Sequence, residues 1–224
     1  MQLAIFDLDN TLLAGDSDYL WGQFLVDQGL VDGAWYEREN RRFYDQYKSG
    51  TLDIHEFCAF SLKPLTQHDP AKLYAWREEF VRARIEPIVA AGAPALLERH
   101  RAQGDHLLIM TATNRFITEP IAELLGIADL IATDPEMRDG RYTGRVHGQP
   151  NFQDGKVQRL AQWRTQQADD FSRTIFYSDS RNDLPLLLLA DTAVAVDPDE
   201  VLRAEALRRG WSVISLREEP LRLI

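Results

Sequence analysis

Ile5-Phe6-Asp7-Leu8-Asp9-Asn10-Thr11-Leu12-Leu13 joins a short apolar strand, beginning at Leu3, to two aspartates one residue apart. In an open parallel sheet, ligands bind beyond the carboxyl ends of the strands, so Asp7 and Asp9 stand where chemistry is expected. Residues two apart on a regular strand share a face, but the strand is ending here and Asn10 and Thr11 can redirect the chain.

Outward from this stretch, short apolar runs alternate with helical patterns, which predicts a parallel sheet flanked by helices. Strands are expected at residues 3–6, 106–110, 130–132, 174–177, 193–196 and 212–214, with helices at 94–103, 116–125, 155–166, 184–190 and 200–209. Asp139-Gly140 interrupts the alternation and signals a tight hairpin, expected at an edge of the sheet. Between Asp16 and about Ala90 there is no strand-like run. Helical spacing dominates there instead: Leu20 with Phe24, Trp21 with Leu25, Phe43 with Tyr47, and Leu73 with Trp76 and Phe80. This interval predicts a helical bundle inserted after the first strand.

Other strand ends carry related chemistry. Ile175-Phe176-Tyr177-Ser178-Asp179-Ser180-Arg181-Asn182-Asp183 places Asp179 at a strand tip and Asp183 in the following helical turn, where an acid also suits the helix dipole. Acids converging on one sheet edge repel one another unless a cation sits among them, and an all-oxygen cluster suits Mg²⁺. Thr111-Ala112-Thr113-Asn114 ends another strand in hydroxyls, offering Thr111 and main-chain N–H groups to phosphate oxygens. An ordinary helix N-cap at Thr113 or Asn114 accounts for part of the same pattern. Lys156 begins a helix, where its charge opposes the dipole; a bound anion or Asp183 would supply the reason.

The 224 residues, 45% of them apolar, are enough for one domain with an elaboration. A net charge of −10, from 25 basic and 35 acidic residues, disfavours a nucleic-acid backbone as partner. A single cysteine, Cys58, excludes an intramolecular disulfide or a multi-cysteine metal cage, and reads as buried filler. The N-terminus has no basic leader region and no apolar run is long enough to span a bilayer, so the expectation is a soluble cytoplasmic chain with no membrane partner.

Asp7-x-Asp9-x-Thr11, Thr111, Lys156 and Asp179-x-x-x-Asp183 together resemble the haloacid dehalogenase superfamily of phosphohydrolases, in its phosphoserine-phosphatase-like branch. The likeness covers nearly the whole chain, because each motif follows a suitable strand or opens a helix in that family's order. An Asp-x-Asp alone is weak, since metal-dependent glycosyltransferases also use one. The resemblance implies an α/β fold with a Rossmann-like parallel sheet flanked by helices. Residues 1–15 and 91–224 would form the core, with residues 16–90 as a helical cap hinged near Gly15 and Gly92. It implies further that Asp7 is the nucleophile of an aspartyl-phosphate route and Asp9 the general acid and then base. Asp7, Asp9 through its carbonyl, and Asp179 would hold Mg²⁺. Thr111 and Lys156 would bind the phosphoryl group, with Thr11 fixing the turn and Asp183 supporting the metal shell or Lys156.

A small phosphorylated metabolite is then the expected partner. Within this branch, a cap arginine that pairs with the carboxylate of phosphoserine aligns with Ser61, whereas the acid that meets the substrate amine aligns with Asp16. An amino-alcohol phosphate therefore fits better than an amino-acid phosphate, although Arg41 or Arg42 could restore the clamp. Asp16-Ser17-Asp18 and Gly148-Gln149-Pro150-Asn151-Phe152-Gln153-Asp154-Gly155-Lys156 resemble a bacterial subgroup that includes histidinol-phosphatases. Asp16, Asp18 and an aromatic such as Trp21, Tyr44 or Tyr47 would suit a cationic substrate. As plain structure, the acids read as helix starts and Trp21 and Tyr47 as bundle core. Phosphoserine, or an inactive phosphate-binding version of the fold, are the alternative readings.

Overall fold

A computed structural model describes residues 1–168, 170–218 and 222–223. The strands β1 (Gln2–Phe6), β2 (His106–Asn114), β3 (Asp129–Thr133), β6 (Arg173–Ser178), β7 (Thr192–Val196) and β8 (Ser212–Ser215) form a parallel sheet in the order β3-β2-β1-β6-β7-β8. A short β9 (Arg222–Leu223) adds antiparallel to β8. Strand order reverses around β1, which puts the crevice of a doubly wound sheet at the carboxyl ends of β1, β2 and β6. Residues 3–6 of β1 are all buried, as expected of a strand covered on both faces. Leu3 and Ile5 pack with Leu108, Met110 and Phe176 on one side, while Ala4 and Phe6 pack with Ile109 and Tyr177 on the other.

Helices α5 (Ala93–Ala102), α6 (Arg115–Leu124), α7 (Asp154–Arg164), α8 (Leu184–Leu187) and α9 (Glu200–Arg209) flank this sheet. The inserted interval holds α1 (Ser17–Asp27), α2 (Gly33–Ser49), α3 (Ile54–Ser61) and α4 (Pro70–Phe80). Each begins on an aspartate, Asp16, Asp32, Asp53 or Asp69, whose carboxylate accepts main-chain N–H groups of the first turn. Their apolar residues join the core under the Phe6 face of the sheet. Among the described residues, no helix is long and apolar enough to cross a membrane.

One local expectation is corrected. The Asp139-Gly140 hairpin, β4 (Pro135–Arg138) and β5 (Arg141–Val146), is not at an edge of the main sheet but forms a two-stranded sheet of its own. It packs on the inserted helices, with the Tyr142 and Tyr74 hydroxyls 3.2 Å apart. The two chain crossings into the insert run side by side. Leu13 and Val89 form an antiparallel bridge, with Ala14 N–H donating to the Ile88 carbonyl at 2.6 Å and Ala90 N–H to that of Leu12 at 2.9 Å. Gly15 and Gly92 serve close approach: a Cβ at Gly15 would stand 3.0 Å from the Ile88 side chain, and one at Gly92 3.1 Å from that of Leu216.

Candidate active site

After β1 the chain makes a wide turn over Leu8–Leu12 in which Asn10 takes a left-handed conformation (φ 56°), tolerable for an Asn side chain. Thr11 fastens this turn to the end of β6: its hydroxyl accepts the Asp179 N–H at 3.0 Å and lies 3.3 Å from the Asp179 carboxylate. The nucleophile candidate Asp7 is 3% exposed. Lys156 Nζ donates to Asp7 Oδ1 at 2.8 Å and to Asp183 Oδ2 at 2.8 Å, with its side chain 2% exposed. Asp183 also accepts from the Ser178 hydroxyl at 2.7 Å.

The lysine's awkward helix-start position has a structural basis. Asn151 is buried and donates through Nδ2 to the carbonyls of Thr111 and Ile131, at 2.8 and 2.9 Å, pinning the preceding loop to the ends of β2 and β3. Gly155 then lets α7 approach that loop, since a Cβ there would fall 2.3 Å from the Pro150 carbonyl oxygen. Lys156 is thereby aimed inward between two acids.

Asp9 is gripped from two sides. Its Oδ1 accepts the Ser17 main-chain N–H at 2.6 Å, from the first turn of α1, and its Oδ2 accepts from Thr113 Oγ1 at 2.8 Å and Thr111 Oγ1 at 3.4 Å. Thr113 is therefore part of the site, whereas the helix cap is Asn114, whose side chain accepts the Ile117 N–H. The period-two spacing of Thr111 and Thr113 on one strand face was the available signal.

Electrostatically the edge is acid-rich. Burial, with Asp183 and Asp9 adding to it against the pull of Lys156, pushes the Asp7 carboxyl up to about 7. Burial and then Asp7 and Asp183 push Asp179 up as well. Burial alone would lower Lys156, but Asp183 and Asp7 outweigh it and hold the ammonium well above its ordinary range. Three acids facing one ammonium leave negative charge uncompensated. Among the described residues, no three carboxylate, imidazole or thiol groups form a ready metal cage. The carboxylates of Asp7 and Asp179 are nonetheless the donor set a hard divalent cation takes when main-chain oxygen, water and substrate phosphate complete its shell.

Above this edge lies a cavity lined by Asp7, Asp9, Thr111, Thr113, Asp16, Asp18 and the aromatics Tyr19, Phe43, Tyr44, Tyr47 and Phe57, among others. No lysine or arginine is among the described lining residues. Arg42 is turned to Glu39 and Glu56 and Arg41 to Asp45, while Ser61 is buried. Trp21, expected as a specificity residue, does not reach the cavity. It is 1% exposed, stacks with Phe24 and meets Phe80 and Phe116 edge-on, at centroid distances of 5.5, 5.2 and 5.6 Å, because its side of α1 faces the core. Cys58 is buried and unpaired.

Comparison with known proteins matches residues 4–188 to the haloacid dehalogenase-like hydrolase family. The chain is 43% identical to a histidinol-phosphatase of Neisseria meningitidis serogroup C (strain 8013), over 96% of this chain and 99% of that one. It is 30% identical to a phosphoserine phosphatase of Mycobacterium tuberculosis (strain ATCC 25618 / H37Rv), covering 96% of this chain and 70% of that one. Among solved structures, a protein of unknown function from Bordetella pertussis Tohama I superposes with a TM-score of 0.90 at 46% identity, covering 96% and 98% of the two chains.

Proposed function

The chain belongs to the haloacid dehalogenase-like hydrolase family, in its phosphatase branch, and we propose that it is a Mg²⁺-dependent phosphomonoesterase for a small amino-alcohol phosphate, histidinol phosphate first among them. The observation that carries this reading is the Asp7–Lys156–Asp183 chain at the sheet edge, beneath a cavity with acids and aromatics but no described cation in its lining.

In this reading Asp7 attacks phosphorus, forming an O–P bond while the bond to the alcohol oxygen breaks. Asp9, carrying a proton, delivers it to that departing oxygen. Water then attacks phosphorus, Asp9 takes its proton, and the Asp7 O–P bond breaks to release inorganic phosphate. Lys156, Thr111 and main-chain N–H groups of the β2 turn offset the phosphoryl charge. Mg²⁺ would be held by the Asp7 and Asp179 side chains and the Asp9 carbonyl, and when bound would neutralise charge between carboxylate and phosphate. Residues 16–90 would act as the cap that keeps water out during the first step, over a core of residues 1–15 and 91–224. The acidic, aromatic lining favours an ammonium or imidazolium and, among the described lining residues, offers a substrate carboxylate no cation, which disfavours phosphoserine.

A phosphate-release screen across phosphorylated amines, amino acids, sugars and nucleotides, with Mg²⁺ and with chelator, tests this. Histidinol phosphate should lead O-phosphoserine by at least about tenfold in kcat/KM, a margin of about 1.4 kcal/mol, and chelation should stop turnover. Preference for phosphoserine or a sugar phosphate would overturn the substrate assignment. Thr113→Val should lower kcat about 10- to 100-fold with KM nearly unchanged, the worth of one hydrogen bond to a charged group, and Thr113→Ser should restore it. An unchanged kcat in the valine variant would remove Thr113 from the orientation of Asp9.

A further inference from the structure

The cavity is rich in acids. Asp7, Asp9, Asp16 and Asp18 all line it, and burial, with the neighbouring acids adding to it, holds Asp7, Asp16 and Asp18 above the ordinary carboxylate range. Asp16 and Asp18 are not equivalent. Asp16 is occupied as the cap of α1, accepting the Tyr19 N–H at 2.9 Å, and Lys48 acts on it as well. Asp18 is 8% exposed, lines the cavity, and its Oδ2 is buried with no hydrogen-bond partner. Leaving a carboxylate oxygen buried and unmatched is costly unless something else meets it. Burial and then Asp16 and Asp9 hold its carboxyl well above the ordinary range, which a cation would relieve. The cavity wall contributes rings rather than charges: Tyr19 and Tyr44 lie 5.0 Å apart and Phe43 and Phe57 5.4 Å apart. Ring faces of that kind accept a flat or compact cation.

We propose that Asp18, rather than the capping Asp16, is the specificity-determining residue of this cavity, and that it binds a second nitrogen base of the substrate, an imidazolium or ammonium N–H, distal to the amine nearest the phosphate. The inference rests on the amino-alcohol reading above and adds to it a requirement for two nitrogen centres. A buried acid with one oxygen kept without an internal partner for this purpose lowers the stability of the empty protein, so its neutralisation should raise stability while reducing selectivity.

The test compares wild type and Asp18→Asn on histidinol phosphate, 2-aminoethyl phosphate and p-nitrophenyl phosphate, together with thermal melting without substrate. Asparagine should lower kcat/KM on histidinol phosphate about 10- to 100-fold, chiefly through KM. The other two substrates should change less than about threefold, and Tm should stay level or rise by about 2–4 °C. A parallel loss on all three substrates with a lowered Tm would make Asp18 structural and overturn the proposal, as would an unchanged rate on histidinol phosphate. A wild type that turns over p-nitrophenyl phosphate but neither amine would instead overturn the amino-alcohol reading itself.

Discussion

Replacing Asp7 by asparagine should abolish phosphate release, by about 10⁴-fold or more, without unfolding the protein. The carboxamide fills the same volume but is no nucleophile, so the first displacement has no attacking oxygen. The fold should survive because Asp7 is not the only acid on the buried ammonium: Lys156 keeps Asp183 at 2.7 Å to the nearer oxygen. Loss of the Asp7 partner is offset by relief of a carboxyl that burial already holds up to about 7. Steady-state phosphate release and a melting curve on the same preparation separate the two effects. Undiminished turnover would exclude Asp7 as nucleophile, and collapse of the melting transition would mean that its charge is structural.

Lys156→Met carries the second large effect, and here activity and stability should fall together. The methionine removes the cation proposed to offset the phosphoryl charge, which by comparison with single charge-stabilising donors should cost about 10²- to 10³-fold in kcat, or about 3–4 kcal/mol in the barrier. It also strands Asp7 and Asp183, 3% exposed each, without a counter-ion. Breaking one side of a buried ion pair costs about 3–5 kcal/mol, so Tm should drop by about 10 °C. A Lys156→Met protein with wild-type kcat would show that phosphate charge is met elsewhere. One with wild-type Tm would show that the acids around it do not depend on the ammonium.

The sheet was legible because β1 and β6 are short apolar runs ending in acids, and because both faces of the sheet are covered, leaving little polar interruption. Lys156 was legible for a different reason: its charge is wrong for a helix start, and that local conflict pointed to a bound anion or to Asp183, one of the two acids it meets. Trp21 was misplaced because aromatic periodicity locates a helix face without saying which neighbour covers it. The crossing of α1 on α2, fixed in part by Asn40 Nδ2 donating to the Tyr19 carbonyl at 3.0 Å, turns Tyr19 and Tyr44 to the cavity and leaves Trp21 against Phe80 and Phe116. The hairpin failed in the same way. Asp139-Gly140 encodes a turn, whereas the surface it docks on comes from residues such as Tyr74 far away in the chain. The unmatched oxygen of Asp18 had no local signature at all, since capping acids at Asp16 and Asp18 look alike until their partners are known.

The covalent step can be read directly. Acid quenching during turnover of a Mg²⁺-loaded sample, borohydride reduction and peptide mass analysis should convert the phosphorylated side chain to homoserine at position 7, in wild type and not in Asp7→Asn. Homoserine at another aspartate, or none while turnover proceeds under the same quench, would contradict an aspartyl-phosphate at Asp7.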